Sequence, residues 1–351
     1  MSFLIRLANL KDKKNIQVFL DKYWKKDHIL SLSDKLFDYM YKNEISKKYN
    51  FLISIDDKTN NINGLLGFIE AKHYDPFLPD SRNVLWYSLW KIIEGSDKKL
   101  LGIKLMIELR KLYPSLNQGT VGAGKEVLPI YKALGYKTGN LSTYIALNFE
   151  IEKFIIARGF SGKKFIPYEY LNKIKIFKVN KNRFSSLKTE FDNTAIRLQS
   201  YKTFNYVKSR YFDNPFLKYE LWILKLGKEI GFIILRRISY KNSSLVKFVD
   251  YIGEKKLISF LGPNLCQKIM EDAEYIEFRC FGLNDELSKA GFIEIKNSSE
   301  IIIPSYHDPF VFENLPTFWT SLKFIENQII VTGDGDQDRI NTLSLLNRKN
   351  S

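Results

Sequence analysis

The chain has 351 residues, 45% of them hydrophobic and 15% aromatic, and its 54 Lys and Arg against 39 Asp and Glu give a formal net charge of +15. This composition excludes a disordered chain, and no apolar run approaches the ~20 residues that a membrane span requires. A field of this sign attracts anions, yet the lysines are dispersed and form no block of the kind that grips a nucleic-acid backbone, so nucleic acid is not an expected partner.

Cys266 and Cys280 supply neither a disulfide framework nor metal-ligand spacing. The start, MSFLIRLANLKDKK, lacks the apolar stretch and cleavage site of a secretory leader, so a cytoplasmic protein is expected. Length alone suggests two domains, since domains commonly hold roughly 100–200 residues.

In chain order, residues 3–9 alternate as a strand. Ile16, Phe19, Leu20 and Tyr23 place a helix over 11–25, and Leu36, Phe37, Met40 and Tyr41 a second over 33–48. Residues 51–55 and 65–71 read as a hairpin around a turn-forming stretch, and 84–93 as another apolar strand. Gly95, Ser96 and Asp97 break that strand and cap a helix whose inner face is Leu101, Leu105, Leu109 and Leu112. A short strand at 119–124 follows. Val127, Ile130, Tyr131 and Leu134 then fall at helical spacing, Gly135 supplies a left-handed stop, and a last strand covers 142–148.

Gly159, Gly162 and Pro167 interrupt residues 151–171, which suits a connector. Beyond it come a strand at 174–179, a helix at 184–198, a hairpin of 219–226 with 231–238, a strand at 246–252, a helix at 257–272 and a strand at 275–280. Leu287 to Gly291-Phe292 then repeats the helix-glycine-aromatic stop before a strand at Ile293. The second half is a weak repeat of the first.

The run Ile130-Tyr131-Lys132-Ala133-Leu134-Gly135-Tyr136 resembles the fourth helix of the GCN5-related N-acetyltransferases, and the order of the first ten elements is similar to that family's whole fold. The resemblance implies an α/β (α+β) protein of two tandem acetyltransferase-like domains, each a mixed, mostly antiparallel sheet flanked by helices. The expected division is a catalytic, acyl-CoA-binding domain at 1–150, a connector at 151–173, a degenerate acceptor-binding domain at 174–341 and a tail at 342–351.

It further implies acetyl-CoA or another acyl-CoA as co-substrate, with no metal, and Tyr131 beside the sulfur as the acid for the departing thiolate. Strand backbone at Leu89, Trp90, Lys91 and Ile92 would face the thioester. The family's pyrophosphate signature, Arg/Gln-x-x-Gly-x-Gly/Ala, is matched at Lys99 and Gly102, while Lys104 stands where a small residue belongs. The second half has neither this signature nor a tyrosine before Gly291, so chemistry is expected in the first domain only.

Transfer to an amine also needs a base, and the chain has three histidines, His28, His73 and His307. His28, between the first two helices, is the preferred base because imidazole accepts a proton near neutral pH. Glu70 and Asp75 are the carboxylate alternatives. Near the C-terminus, Asp334, Asp336 and Asp338 have the spacing of a calcium loop, but Arg339 replaces its glycine and Leu345 its glutamate, which argues against a metal. The segment resembles an ending of tandem acetyltransferase-like proteins from bacterial polysaccharide gene clusters. That resemblance implies that Asp334, Asp336 and Asp338 bind sugar hydroxyls or an ammonium and Arg339 a nucleotide phosphate, with His307 on the same acceptor side. A polar turn closed by an Asp–Arg pair is the alternative.

The expected activity is N-acyl transfer, in the first instance N-acetyl transfer, to a nucleotide-linked amino sugar destined for a surface polysaccharide such as O-antigen, by direct attack of the amine on the thioester. Two alternatives share the fold: a Fem-type transferase that takes its donor from aminoacyl-tRNA, favoured by the charge, and a non-catalytic sugar-binding scaffold. Oligomeric state is open.

Overall fold

The computed structural model describes residues 3–95, 100–160, 174–306 and 310–341. The chain forms two compact units, one of Met1–Thr138, Thr320–Phe324 and Arg339–Ser351, the other of Gly139–Trp319 and Ile325–Asp338.

In the first unit, β1 (Phe3–Asn9), β2 (Lys48–Asp56), β3 (Ile62–Glu70) and β4 (Val84–Ile92) pair antiparallel in that order, and β5 (Asn117–Ala123) joins β4 in parallel. A parallel neighbour demands a crossover, and helix α3 (Leu101–Leu112) supplies it. Its Leu105, Met106 and Leu109 pack on Leu52, Leu66, Phe68 and Leu85 of the sheet. Before β2 lie α1 (Lys13–Phe19) and α2 (Asp34–Tyr41). The first ends in a wide π turn at Leu20–Trp24. The second is shorter than its apolar spacing suggests, because Lys42 and Asn43 leave it to pair with Tyr49 and Lys48. Helix α4 (Leu128–Ala133) follows β5.

The second unit takes β6 (Lys137–Leu147) into its sheet from Gly139 onward. The sheet runs β7 (Lys175–Val179), β8 (Glu220–Leu226), β9 (Glu229–Tyr240), β10 (Ser243–Ile252), β11 (Tyr275–Phe281), β6 and β12 (Ile293–Ile295). The strand expected to close the first domain is therefore a central strand of the second unit. The reason is visible in its side chains: Tyr144 and Ala146 enter one apolar cluster of that unit, Ile145 and Leu147 another. Helices α5 (Lys188–Arg197), α6 (Pro263–Met270) and α7 (Asn284–Lys289) are the longer α-helices of the unit. The helix expected over 257–272 starts only at Pro263, since Gly262-Pro263 interrupts it.

The described part of the connector, 151–160, is held by this unit. Buried Glu274 accepts hydrogen bonds from the backbone N–H groups of Ile155 (2.6 Å), Ile156 (2.9 Å) and Ala157 (3.1 Å), and from the Ser243 hydroxyl (2.6 Å).

Candidate active site

In the first unit β4 and β5 share only the pairs Val84–Asn117, Leu85–Gln118 and Trp86–Gly119, then part. At the fork the Thr120 hydroxyl donates to the Tyr87 carbonyl at 3.0 Å. On the other edge of β4 the register slips: Tyr87 and Trp90 oppose Phe68 and Leu66, so three steps of β4 match two of β3. This bulge falls at Ser88 and Leu89, and Gly67 leaves it room, because a Cβ there would stand 2.9 Å from the Ser88 hydroxyl oxygen and 2.7 Å from the Phe51 ring. The bulge turns peptide groups at Ser88 and Leu89 out of the ladder, while Trp90, Lys91 and Ile92 stay paired with Leu66, Leu65 and Gly64 of β3; on the other side this backbone runs past the fork, where β5 does not pair with it.

An aromatic floor lies against the fork. Tyr131 of α4 stacks on Tyr87 at 6.3 Å between ring centroids and meets Trp90 at 5.9 Å and Tyr136 at 5.2 Å, both edge-on. The Tyr87 hydroxyl is 2.7 Å from the Tyr136 hydroxyl and donates to the Gln118 side-chain carbonyl at 2.7 Å. The Tyr131 hydroxyl makes no hydrogen bond among the described residues. Burial, and then Tyr136, pushes its phenol well above the ordinary tyrosine range, so the proton is present at neutral pH. Gly135, at φ +86°, ends α4, and its N–H and that of Tyr136 bond to the carbonyls of Lys132 and Tyr131, both at 3.0 Å. The stop expected at this glycine therefore also orients Tyr136 onto Tyr87.

Gly102 opens the first turn of α3 directly against the Trp90 indole. The indole N–H is buried without a hydrogen-bond partner among the described residues. Lys104 is exposed, with its ammonium 5.2 Å from the Phe3 ring centroid. Lys99 and His307 lie outside the described residues.

His28 caps the short helix Ile29–Leu32, its Nδ1 accepting from the Leu30 N–H at 3.3 Å. Burial, reinforced by the positive charges of Arg339 and Lys25, lowers its pKa to about 4. An imidazole whose Nδ1 is engaged in a cap and whose pKa is lowered is a weak proton acceptor, which weighs against the role expected for this residue. The carboxylates named beside it, Glu70 and Asp75, are both buried. Glu70 sits opposite Leu85, before the fork, where burial raises its pKa against a hydrogen bond from Asn83 at 3.3 Å. Asp75 is buried and accepts from the Phe77 N–H at 3.1 Å.

The second unit has the same kind of fork, and the chain fills it. β10 and β11 pair in parallel from Val246–Ile276 to Phe248–Phe278. Beyond that, β13 (Ile330–Val331) pairs with Phe281 and Cys280 of β11, and the Gly333 N–H donates to the Val249 carbonyl at 2.8 Å. Gly333 has no room for a side chain: a Cβ would stand 2.6 Å from that carbonyl oxygen and 2.8 Å from the Tyr211 hydroxyl.

The aspartates expected to hold a sugar secure this insert. Asp334 accepts from the Val331 N–H at 2.8 Å and from the Tyr201 hydroxyl, and pairs with Lys202 at 2.9 Å. Lys202 also meets Asp250 at 2.6 Å, which in turn accepts from Tyr211 at 2.7 Å. Asp338 pairs with Arg236 at 2.7 Å and Lys247 at 3.1 Å and accepts from Tyr219 at 2.8 Å. Burial opposes its ionisation, but Arg236 and Lys247 outweigh that and hold its carboxyl at about 2. Asp334, Asp336 and Asp338 are all buried, so the first and last spend their carboxylates on the protein itself. Arg339, assigned to the first unit, donates to the Asn341 side chain at 3.2 Å. The closing cations are Lys202, Arg236 and Lys247, which sequence proximity did not suggest. Among the described residues no group of His, Cys, Asp and Glu is arranged to hold a metal ion.

The mixed, mostly antiparallel sheet flanked by helices that carries this fork has the GCN5-related N-acetyltransferase fold. Among solved structures the chain is similar to a GCN5-related N-acetyltransferase from Anabaena variabilis, with a TM-score of 0.53 at 10% identity over 91% of this chain and 72% of that one. It is similar also to a conserved protein of unknown function from Enterococcus faecalis, a probable N-acyltransferase, with a TM-score of 0.52 at 9% identity over the same shares. No protein-family model and no curated protein sequence matches it.

Proposed function

We propose that the chain is an acyl-CoA-dependent N-acyltransferase, transferring acetyl or a related acyl group to an amino sugar, nucleotide-linked, for a surface polysaccharide. The open fork of the first unit, with Tyr131 against it, carries the reading. Backbone N–H groups turned out by the β4 bulge suit a thioester carbonyl, and the unpartnered Trp90 N–H with the close Gly102 suits a ligand lying along the start of α3. In the transfer the amine forms the C–N bond as the C–S bond breaks, the Tyr131 hydroxyl gives its proton to the departing sulfur, and the surplus amine proton passes to water. Tyr131 regains its proton from solvent.

The acceptor class rests on the resemblance of the Asp334–Arg339 region to endings found in polysaccharide gene clusters. Since Asp334 and Asp338 are committed internally, the acceptor's contacts are assigned elsewhere. The test is incubation with acetyl-CoA and a panel of nucleotide-linked amino sugars while thiol release is followed. Release that depends on the sugar is expected. Absence of release, together with absence of coenzyme A binding by calorimetry, overturns the proposal.

A further inference from the structure

A groove of about 730 Å³ lies in the first unit over the outer side of α1 and the turn that follows it. Its basic wall is Lys14, Lys22, Lys25 and Lys26. Asp21 neutralises Lys26 at 2.8 Å and also accepts from the Asp27 N–H, and Asp27 itself is 4.0 Å from Lys26. Lys14, Lys22 and Lys25 make no ion pair among the described residues. The other wall is apolar: Val18 is 53% exposed, Leu32 45% and Trp24 39%, three large side chains left to water in one concavity. The π turn presents Tyr23 and Trp24 here, closed by the Lys25 N–H on the Leu20 carbonyl at 3.1 Å, and the Lys22 ammonium lies 5.0 Å from the Tyr23 ring centroid.

The two walls ask for different halves of one ligand. Lysines serve as point charges for phosphate oxygens, while exposed aromatic and aliphatic faces cover a flat ring. A bare anion leaves the apolar wall wet. The volume falls in the range of small-molecule sites. We infer that this groove binds a nucleoside diphosphate, alone or as part of a larger molecule, with the diphosphate on Lys14, Lys22 and Lys25 and the base against Trp24. The inference stands on the groove and does not require that acyl transfer occur.

The experiment is fluorescence titration of the full chain with UDP, ADP, coenzyme A, inorganic pyrophosphate, and vesicles of phosphatidylserine and phosphatidylcholine. Saturable quenching by UDP or ADP is expected, at least tenfold weaker in the Lys22→Gln/Lys25→Gln variant and lost in Trp24→Phe; all three side chains lie on the surface, and circular dichroism checks that the variants fold. If coenzyme A weakens by the same factor, the diphosphate is the donor's own; if coenzyme A is unaffected while UDP weakens, it belongs to another nucleotide. Pyrophosphate binding as tightly as UDP, nucleotide binding indifferent to the lysine substitutions, binding to vesicles alone, or no saturable binding would each overturn the inference.

Discussion

Gly102 faces the indole of Trp90 so closely that a Cβ in its place would stand 2.9 Å from the ring. The contact ties the start of α3 to the strand backbone that passes the fork. Replacing Gly102 by Ala gains roughly 1 kcal/mol of helix propensity and incurs about 1–3 kcal/mol of overpacking. A net loss of about 1 kcal/mol is expected by denaturant titration, with a several-fold rise in the KM for acyl-CoA. A variant with unaltered KM would separate Trp90 from donor binding.

Tyr131→Phe keeps the ring contacts with Tyr87, Trp90 and Tyr136 and removes only the hydroxyl. Stability should stay within about 1 kcal/mol, while kcat falls about 10²–10⁴-fold, the usual worth of a positioned acid. Steady-state kinetics with a saturating donor decides it, and an undiminished kcat takes the acid role from this residue.

His28 has a folded-state pKa of about 4 against an ordinary value of 6.5. Between these values the unfolded chain binds the extra proton, so stability rises with pH through that window and is lost as pH falls through it, by up to about 3 kcal/mol at pH 4. His28→Asn retains a capping side chain and cannot titrate, so its unfolding free energy should be flatter from pH 4 to 6.5. Its turnover should follow the wild-type pH profile; a lost acidic limb together with a fall in kcat would restore His28 as the base.

Lys202→Met leaves Asp250 and Asp334 buried without the cation between them, at a cost of about 3–5 kcal/mol. Adding Asp334→Asn should recover part of that cost, because one buried negative charge is then gone. Additive losses in the double-mutant cycle would show that Lys202 and Asp334 are not coupled.

Calorimetric titration with coenzyme A should give one site per chain. Residues 330–333 occupy the second fork through pairs with β11 and the bond to Val249, so a second equivalent has no strand backbone to meet. A second site that persists in the Lys22→Gln/Lys25→Gln variant would mean that the insert leaves.

Patterning identified the elements whose apolar residues face one core. The α3 stripe at Leu101, Leu105 and Leu109 and the Gly135 stop are of this kind, as is Tyr131 on the inner face of its helix. It gave no sign that β6 belongs to the second unit, because alternating apolar residues specify a strand and leave its neighbours open. The internal partners of Asp334 and Asp338 were hidden for a related reason. A carboxylate's spacing reveals its charge, whereas its partners Lys202, Arg236 and Lys247 come from distant positions in the chain. Thr203, which accepts the Tyr206 N–H, was an available cap signal for the unanticipated short helix Phe204–Val207. The bulge in β4 had no sequence signal beyond Gly67 across from it.

The free edge of β5 is covered by residues translated long after it. Leu322 donates to the Gln118 carbonyl at 2.8 Å, and the Ser321 hydroxyl meets the Asn117 side chain at 3.1 Å. During synthesis the unit holding Tyr131 thus leaves the ribosome with an unprotected sheet edge and stays that way while nearly two hundred further residues are added. A nascent chain stalled before Thr320 should be sensitive to proteases and prone to pair with its own kind, and closure of the β5 edge becomes one of the last events in the life of the polypeptide on the ribosome.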